Sequence, residues 1–323
     1  MALLITGAMG HVGLALARLA ARRGLDVVAQ YNRTFDAQAA REAPGVRWVR
    51  CDLTNPAERA DLVADGSIEG CVHTAAIPND RLAGPEPWRA FEVNTVAVAA
   101  LAEAARVKGW RRFVQVSTGS VFQFETRFDR PILEDHTPSA TSAYGATKLA
   151  AEIMTTMYRR QFGVSAATVR ISFVYGPPLV PRERDLPRGP VVSLLREAVL
   201  GIPVREPSGG DFAASFTHVE DVAEGLLAAY LAPELKHDVY HLGHGRNWTT
   251  YEVARAVAAA VPGAVVEVGP GTAPWTTYNT MRGPLGGTRL AAAPGFTPRD
   301  PLEAGVAAFA AWMQAHPDRL RPQ

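Results

Sequence analysis

Residues 2–13 of this chain read ALLITGAMGHVG, and residues 14–20 continue as LALARLA. The first five residues form a short apolar run typical of a buried parallel strand, and the second segment has the apolar spacing of an amphipathic helix. Gly7, Gly10 and Gly13 stand between the two. The sequence therefore predicts a strand, a glycine-rich turn and a helix, the local order that a dinucleotide-binding loop requires.

Each glycine of this turn has a defined use in pyrophosphate binding. Gly7 can take the tight turn, Gly10 lets the backbone approach the phosphates, and Gly13 allows close packing of helix and strand. The helix start adds free N–H groups and a partial positive charge. The first gap is one residue longer than in the commoner Gly-x-Gly-x-x-Gly, and a purely structural turn is the alternative. The residues predicted to contact the cofactor here are Gly7, Met9, Gly10, His11, Val12 and Gly13.

Residues 142–148 read SAYGATK and place Tyr144 four positions before Lys148 in a helical pattern. Side chains at this spacing project from one face of a helix. An ammonium near a phenol stabilises the phenolate, so we expect Lys148 to lower the pKa of Tyr144 below the usual value of about 10. Such a phenol can act as an acid or a base near neutral pH. An exposed pair that shares a helix turn by accident is the alternative, although lysine occurs elsewhere only at 108 and 236.

Together these motifs resemble the extended branch of the short-chain dehydrogenase/reductase superfamily, which contains sugar epimerases, dehydratases and dehydrogenases. Residues 6–13 are similar to its cofactor loop, and Tyr144 and Lys148 to its catalytic pair. Residues 116–122, VSTGSVF, resemble the segment with the catalytic Ser or Thr, which puts Thr118 in that place. VYGP at 174–177 and HVEDVA at 218–223 match two later signatures, so the resemblance covers most of the chain.

The resemblance also implies further contacts with the cofactor. Asp52 and Leu53 are similar to the Asp-Leu step beside the adenine, and Ala75 and Ala76 resemble the loop after the fourth strand. Lys148 would bond the ribose of the nicotinamide. These positions follow predicted strands, so their side chains can meet at one edge of a parallel sheet.

The reaction implied by the resemblance is hydride transfer. Tyr144 would exchange the proton of the reacting hydroxyl, and Thr118 would hydrogen-bond the substrate oxygen unless its hydroxyl only caps the strand end. Gly119 and Ser120 stand where dehydratase relatives carry an acidic pair, so elimination of water is set aside. Three functions stay open: a dehydrogenase or reductase, which is favoured, an epimerase that retains its cofactor, and a non-catalytic nicotinamide-binding sensor.

The end of the predicted second strand bears on the choice of cofactor. NAD sites usually place a carboxylate there to bond the ribose 2′-hydroxyl, but this chain has Tyr31 at that position. Arg33 can pair with a 2′-phosphate, and Asn32 can bond either ribose. The sequence therefore gives NADP a slight preference over NAD, and a solvated Arg33 is the alternative.

Two departures from the family pattern bear on the substrate. Nucleotide-sugar relatives carry Asn before VYGP and Arg before the HVxD motif, where this chain has Phe173 and Ala214. We therefore predict a smaller sugar, sugar acid, polyol or related carbonyl compound. Phe173 and Arg282 are the candidate substrate contacts, Arg282 because it resembles a family substrate contact. A solvated loop explains the remaining arginines, Arg182, Arg184 and Arg188, better than a carboxylate clamp does.

Composition excludes several classes of protein. A net charge of +1 argues against a nucleic-acid-binding surface, and Glu103 and Arg106 interrupt the alanine-rich stretch that could otherwise cross a membrane. Cys51 and Cys71 are too few for a disulfide framework, and the strand at residue 2 leaves no place for a signal peptide. We expect a cytoplasmic protein with a small-molecule substrate. No metal is expected at His237, His241 and His244, because a strand pattern separates them.

Strand and helix patterns alternate along the chain. Strands are predicted at 2–6, 26–31, 46–50, 70–74, 112–117 and 166–172, and helices at 88–107 and 142–162. The fold class is α/β, a Rossmann-like doubly wound parallel sheet with a smaller interleaved C-terminal substrate lobe. Residues 1–175 would form the dinucleotide-binding domain and 176–323 mainly the lobe, with about 212–235 returning to the sheet. The resemblance implies a homodimer, paired through the helices at 90–107 and 144–162.

Overall fold

The structure, a computed structural model, describes residues 1–123, 129–178, 189–276, 280–299 and 301–320. The strands are β1 (Ala2–Thr6), β2 (Asp26–Tyr31), β3 (Arg47–Arg50), β4 (Ile68–His73), β5 (Arg112–Thr118), β6 (Ala166–Ile171), β7 (Phe173–Tyr175), β8 (Val204–Glu206), β9 (Ala213–Ala214), β10 (Phe216–His218), β11 (Val239–Leu242), β12 (Trp248–Thr249) and β13 (Val266–Val268). The helices are α1 (His11–Arg22), α2 (Ala37–Arg41), α3 (Pro56–Ala64), α4 (Asp80–Ala83), α5 (Pro87–Phe91), α6 (Ala97–Lys108), α7 (Ala143–Phe162), α8 (Pro190–Val199), α9 (Val219–Leu231), α10 (Thr250–Ala260), α11 (Arg289–Ala292) and α12 (Leu302–Ala315).

Seven strands form one parallel sheet in the order β11-β6-β5-β4-β1-β2-β3. The strand order reverses beside β1, which lies between β2 and β4 and pairs Thr6 with His73. Ligands of doubly wound sheets bind beyond the carboxyl ends of the strands at this reversal. Gly7 follows β1, Ala75 follows β4 and Thr118 ends β5, so the predicted site residues come to one edge. The predicted α/β fold with a parallel Rossmann-like sheet is confirmed.

Helices cover both faces of this sheet because successive strand residues point to opposite sides. On one face, α1 and α9 pack together and bury Leu16 and Leu226 against Val72. On the other face, Leu101 of α6 and Ala151 of α7 lie in the same cluster as Cys71. Each face therefore has its own apolar core, and the carboxyl edge is left for the site.

The helix predicted over 88–107 is divided in the structure. Between α5 and α6 the chain makes a π-helical turn, Glu92–Val96. Asn94 in this turn is buried, and its amide accepts from the backbone N–H of Ile77 at 2.8 Å and donates to Thr147 at 3.1 Å. The wider turn thus lets one side chain tie the loop after β4 to the catalytic helix α7, a role that the apolar pattern did not predict.

A second core lies outside the main sheet. It joins α8, α10 and α12 with the short pairs β8–β13 and β9–β12. Leu195, Val257 and Phe309 are at its centre. β10 pairs with β7 apart from the main sheet, α9 packs on α1, and β11 is the strand that joins the seven-stranded sheet. The proposed division into domains at residue 175 stays a prediction.

Two sequence predictions concern the rest of the chain. Arg182, Arg184 and Arg188 lie outside the described residues. Within the described ranges, no helix combines the length and the apolar character that a membrane crossing would need.

Candidate active site

The glycine turn after β1 is held by close backbone packing. Gly7 has φ +63°, and a Cβ there would lie 2.6 Å from Ala75 Cα, so side chains are excluded by both conformation and space. A Cβ at Gly13 would lie 2.7 Å from Thr74 Oγ1. Gly10 N donates to Gly7 O at 2.8 Å and closes the turn. The packing roles predicted for Gly7 and Gly13 therefore match the geometry.

Gly10 is exposed and precedes α1 without a side-chain cap on the first helical turn. The first N–H groups of a helix have no partner within it, and they carry its positive end. A Cβ at Gly10 would meet only Gly7 O of its own loop. This turn fits the pyrophosphate of a dinucleotide, because it offers N–H donors without a side chain in front of them. Met9 and Val12 lie partly exposed beside it.

Sequence reasoning missed Gln30, which connects the glycine turn to the neighbouring strands. Its side-chain oxygen accepts from Gly7 N at 2.8 Å, and its nitrogen donates to Cys51 O at 2.6 Å. The signal was present, since Gln30 is an amide within the otherwise apolar buried run of β2. A buried amide needs both partners, so Gln30 fixes the turn relative to β3.

His11 has a second contact besides its backbone place in the turn. Its Nε2 lies 2.9 Å from Gly176 O, at the end of β7. Gly176 has φ +113°, and a Cβ there would lie 2.7 Å from His218 Nε2. The His11 ring therefore joins the glycine turn to the VYGP segment.

The region predicted to hold the adenosine lies at the ends of β2 and β3. Asn32 is partly exposed and Arg33 exposed, while Leu53 is buried. The Asp52 carboxylate accepts from Thr54 Oγ1 at 2.7 Å and faces Arg89 at 3.4 Å. Burial alone would raise the pKa of Asp52, but these partners lower it below its ordinary value. Ala76 and Ala75 follow β4 at the same edge.

Thr118 and Tyr144 meet at the end of β5. The Thr118 hydroxyl lies close enough to the Tyr144 phenol to lower its pKa, and it accepts from Ser120 N at 3.1 Å. The Thr118 hydroxyl therefore caps the strand end, and its predicted hydrogen bond to the substrate oxygen stays a prediction. Tyr144 N donates to Asp80 Oδ1 at 2.8 Å, which holds the first turn of α7 in place. The phenol and hydroxyl are thus presented together at the crevice.

The charges that act on Tyr144 differ from the prediction. Burial has the largest effect and raises the pKa of Tyr144 to about 12. The Asp80 charge also raises this pKa, whereas the contact with Thr118 and the Arg282 charge lower it. Lys148 points elsewhere, because its Nζ donates to Val116 O at 2.6 Å. The expectation that Lys148 tunes the phenol by its charge is therefore not met here, and the cation beside the phenol is Arg282.

Lys148 is buried beneath the crevice with 3% of its surface exposed. Burial lowers the pKa of its ammonium to about 8, and the Glu152 carboxylate opposes this change. An amine with this pKa changes its protonation state close to neutral pH. Lys148 can therefore take part in proton exchange as well as carry a charge.

Arg282, the predicted substrate contact, lies close enough to the Tyr144 phenol for their charges to interact. Burial lowers the pKa of its guanidinium to about 10, although the charges of Asp80 and of the Tyr144 phenolate raise it. Its backbone oxygen accepts from Asn247 Nδ2 at 2.7 Å. The structure therefore brings the C-terminal segment to the catalytic helix, which spacing along the chain could not reveal.

Phe173 belongs to an aromatic cluster. Its ring centroid lies 5.8 Å from that of Trp275 and 6.1 Å from that of Phe216. Phe212 packs on Trp275 at 4.7 Å, and Ala214 is buried in the same core. Both positions at which nucleotide-sugar relatives carry polar groups are therefore apolar.

A buried polar chain under α7 was also missed. Glu152 pairs with Arg170 at 2.6 Å, and Arg170 Nη1 lies 3.2 Å from His241 Nε2. His241 Nδ1 is 3.1 Å from Ile132 O and 3.0 Å from Gly286 O, so this nitrogen is the donor and Nε2 accepts from Arg170. Burial and the Arg170 charge lower the pKa of His241 to about 3, which keeps the ring neutral.

The other two histidines of this segment have ring contacts of their own. His237 packs edge-on against Tyr240, and His244 packs edge-on against Trp248. In the described part of the chain, no three His, Cys, Asp or Glu side chains gather closely enough to hold a metal ion. Packing and hydrogen bonding therefore explain these histidines.

Comparison with known proteins identifies the family. The model of the NAD dependent epimerase/dehydratase family matches residues 3–243. The UDP-glucose 4-epimerase of Mycolicibacterium smegmatis is 30% identical over 313 residues, covering 94% of this chain and 96% of that protein. The UDP-glucuronate 4-epimerase of Thermodesulfobacterium geofontis is 26% identical, covering 76% and 75%. The crystal structure of the Thermus thermophilus UDP-glucose 4-epimerase in complex with NAD is 26% identical, with a TM-score of 0.83 and coverage of 96% and 98%.

The family match covers most of the chain and includes the glycine turn, the Tyr144–Lys148 pair and Thr118. It confirms the resemblance to extended short-chain dehydrogenases/reductases that the sequence motifs indicated. This chain is therefore an enzyme that belongs to the NAD-dependent epimerase/dehydratase family.

Proposed function

We propose that this enzyme is an NAD(P)-dependent oxidoreductase that acts on a hydroxyl or carbonyl carbon of a sugar, sugar acid or related small compound. The observation that carries the proposal is that Thr118, at the end of β5, and the Tyr144 phenol, in the first turn of α7, come together at the carboxyl edge of the sheet, where Gly7 also follows β1. A phenol and a hydroxyl at this edge can hold one substrate oxygen between them. A bound nicotinamide dinucleotide supplies the group that accepts or returns the hydride.

Each side chain of the site has a defined task in this reaction. Tyr144 exchanges the substrate's hydroxyl proton, and Thr118 donates a hydrogen bond to the oxygen on which charge develops. Arg282 favours the phenolate by its positive charge, which opposes the effect of burial on the phenol. Lys148 is held by Val116 O, two residues before Thr118 on β5, and supports the cofactor ribose from there.

The apolar side chains at positions 173 and 214 favour a small substrate over a nucleotide sugar. Phe173 and Ala214 place no amide or cation where nucleotide-sugar relatives have them, and buried diphosphates need such partners. Phe173 instead packs edge-on against Trp275, an apolar contact that brings no cation for a diphosphate. Arg282 is then the cation available for a carboxylate or hydroxyl of a small sugar acid.

A UDP-sugar 4-epimerase is the second candidate. It is favoured by the 30% identity, over nearly the whole chain, with a protein named for that activity. Such an enzyme would use the same Tyr144, Lys148 and Thr118, and would oxidise and re-reduce one carbon with no net redox change. The two candidates therefore differ in substrate and in the release of reduced cofactor, not in catalytic residues.

A substrate panel separates the two candidates. Sugars, sugar acids, polyols and small ketones are offered with free NAD or NADP, and UDP-glucose and UDP-glucuronate are offered in parallel. We expect absorbance at the reduced-nicotinamide band to change with a compound that has no nucleotide. Turnover of a UDP-sugar alone, with an inverted product and no change in absorbance, would establish the epimerase instead.

We propose that the cofactor site has a slight preference for NADP over NAD. Tyr31 brings no carboxylate to the ribose, and Arg33 is exposed at the end of β2, within reach of solvent anions. The Thermus relative was crystallised with NAD, so a clear preference for NAD is the competing result. Binding of both dinucleotides to the purified protein and to Arg33→Glu decides this, since the variant should lose affinity for NADP and not for NAD.

We also propose a homodimer formed through α6 and α7. Large apolar side chains are exposed there: Val107 and Ile153 each keep 62% of their surface, Phe162 48% and Val96 41%. Exposed apolar residues that cluster in this way are typical of interfaces. Ile153→Lys should yield a monomer in light-scattering measurements, while Val265→Lys, also at an exposed apolar position, should not.

We place the enzyme in the cytoplasm. Cys51 and Cys71 are both buried as free thiols, and burial raises the pKa of the Cys51 thiol to about 11. Unpaired thiols are typical of proteins from reducing compartments. Fractionation of the native host would test this, and enrichment outside the cytoplasmic fraction would contradict it.

A further inference from the structure

An ion pair under the catalytic helix has no part in the reaction derived above. Glu152 and Arg170 are each 3% exposed, and Arg170 binds both carboxylate oxygens, at 2.6 Å from Nη2 and 3.0 Å from Nε. Ser117 Oγ donates to the same carboxylate at 2.6 Å. A buried ion pair contributes little to stability on its own, because desolvation of both charges offsets their attraction. The fixed geometry of this pair therefore suggests a role beyond stability.

Glu152 lies one helical turn beyond Lys148 on α7, so their side chains share a face. Both reach the same strand at consecutive residues: Lys148 Nζ bonds Val116 O, and the Glu152 carboxylate bonds Ser117 Oγ. A buried ammonium is costly without a negative charge close by. Glu152 supplies that charge from the same helix face.

The other groups around Lys148 do not compensate its charge. His73 on β4 is fully buried and neutral, since burial and the Lys148 charge lower its pKa to about 3. The Tyr144 phenol is protonated at neutral pH, with a pKa raised to about 12. Arg170 on β6 is a cation and is bonded to the Glu152 carboxylate. Glu152 is the carboxylate whose charge acts on Lys148.

We propose that Glu152, locked by Arg170 and Ser117, is the positioning residue for Lys148: its carboxylate keeps the buried ammonium charged and aligns α7 with the end of β5. Arg170 and Ser117 hold the carboxylate in one orientation, so the charge is fixed rather than mobile. The importance of Lys148 for turnover rests on the proposed function, whereas the effect of Glu152 on Lys148 does not.

The experiment follows the titration of Lys148 directly. The chain has three lysines, Lys108, Lys148 and Lys236, so lysine labelled with ¹³C at Cε gives three signals in the full-length protein. Lys148→Arg removes one of them and assigns it. Wild-type Lys148 should titrate near 8, and Glu152→Gln should lower its midpoint by about one pH unit or more.

Glutamine keeps the shape of the side chain and can still accept from Ser117, so a purely structural role for Glu152 would leave the midpoint in place. Glu103→Gln, at an exposed ion pair on α6, is the matched control and should have no effect. If the unpaired Arg170 prevents Glu152→Gln from folding, the double variant Glu152→Gln/Arg170→Gln removes both charges and should still lower the midpoint. An unchanged Lys148 midpoint in a folded variant that lacks Glu152 overturns the proposal. No substrate is needed, so this outcome is independent of whether the proposed activity is found.

Discussion

The two sides of the crevice are built by different means. On the glycine-turn side, the close contacts are mainly made by backbone: Gly7 lies against Ala75 and Gly10 closes onto Gly7, while one side chain, Gln30, holds the turn from β2. On the catalytic side, they are made by side chains from distant parts of the chain, with Arg282 and Asp80 beside Tyr144. The first side depends on the absence of side chains, and the second on their correct assembly.

This difference has a consequence for how substitutions act. A side chain added to the glycine turn must displace backbone, so fold and cofactor binding change together. A side chain removed at the catalytic edge leaves the fold in place, because the elements there are held by other groups. The catalytic side can therefore vary in chemistry while the glycine-turn side cannot.

The largest effect should come from Tyr144→Phe. It removes the group that exchanges the proton, and general acid–base catalysis typically contributes about 10²–10⁴-fold to the rate. The contact between Tyr144 and Asp80 uses the backbone N–H and is kept, so the helix start is unchanged. Steady-state rates at the reduced-nicotinamide band, with the substrate that the panel identifies, should fall by about that factor while cofactor affinity holds.

Tyr158→Phe is the matched control, since it makes the same change further along α7 and away from Thr118. It should retain the wild-type rate. Full activity in Tyr144→Phe would remove the phenol from the mechanism and erase the chemical distinction between the two sides.

The next effect is expected on the glycine-turn side. In Gly7→Ala, the new Cβ would lie 2.6 Å from Ala75 Cα, and the residue would be held at φ +63°. Gly24→Ala shares the positive φ, at +76°, but has nothing within 4 Å. Strain alone costs about 1–2 kcal/mol, so a larger loss of unfolding free energy in Gly7→Ala measures the clash. Dinucleotide binding should be lost in Gly7→Ala only, and equal behaviour of the two variants would contradict the packing argument.

The contrast between the two sides also explains what the sequence could reveal. Strands β1 and β2 were predicted at their observed bounds, and the other predicted strands of the main sheet differ by one or two residues at their ends. These segments are short apolar runs that end in glycine or polar residues, so local pattern is enough. The glycine turn was predictable for the same reason, because its residues are adjacent in the chain.

The catalytic side was predictable only in part. Tyr144 and Lys148 were found by their spacing, but the bond from Lys148 to Val116 depends on how α7 lies against β5. Gln30, Asn94 and His241 were missed as site supports because each acts on a partner far away in sequence. Buried polar residues in apolar segments were the available signal, and their partners needed the three-dimensional fold.

A smaller effect is expected at His241, whose ring hydrogen-bonds Arg170 on one side and the backbone of Ile132 and Gly286 on the other. His241→Leu leaves Arg170 Nη1 without its acceptor and Gly286 O without the His241 donor, whereas Ile132 O keeps its bond from Gly286 N at 3.0 Å. Unpaired buried polar groups cost about 1–3 kcal/mol each, so the free energy of unfolding in urea should drop by at least that amount. His241→Gln can both accept and donate, and should recover part of the loss. Equal stability of the leucine variant would show that the polar chain does not hold this side together.

The smallest effect is the dependence of folding stability on pH. It comes from two buried histidines, one under each side of the crevice. His73 bonds Thr6 beneath the glycine turn, and His241 bonds Arg170 beneath the catalytic edge. Burial lowers the pKa of each to about 3, whereas the unfolded chain binds a proton near the ordinary value of about 6.5. The unfolded state therefore carries more protons between these values, so stability is complete above pH 6.5 and falls as pH decreases toward 3.

Each histidine should contribute a slope of about 1.4 kcal/mol per pH unit in that window. Urea unfolding of the wild type and of His241→Gln at pH 7, 6 and 5 tests this directly. The variant should lose a slope of about 1.4 kcal/mol per pH unit between pH 6 and 5, where the carboxylates contribute little because they titrate mainly below that range. An unchanged slope would mean that His241 is protonated in the folded state. The hydrogen bond from Arg170 to its Nε2 could then not exist, because a protonated imidazole has no acceptor nitrogen.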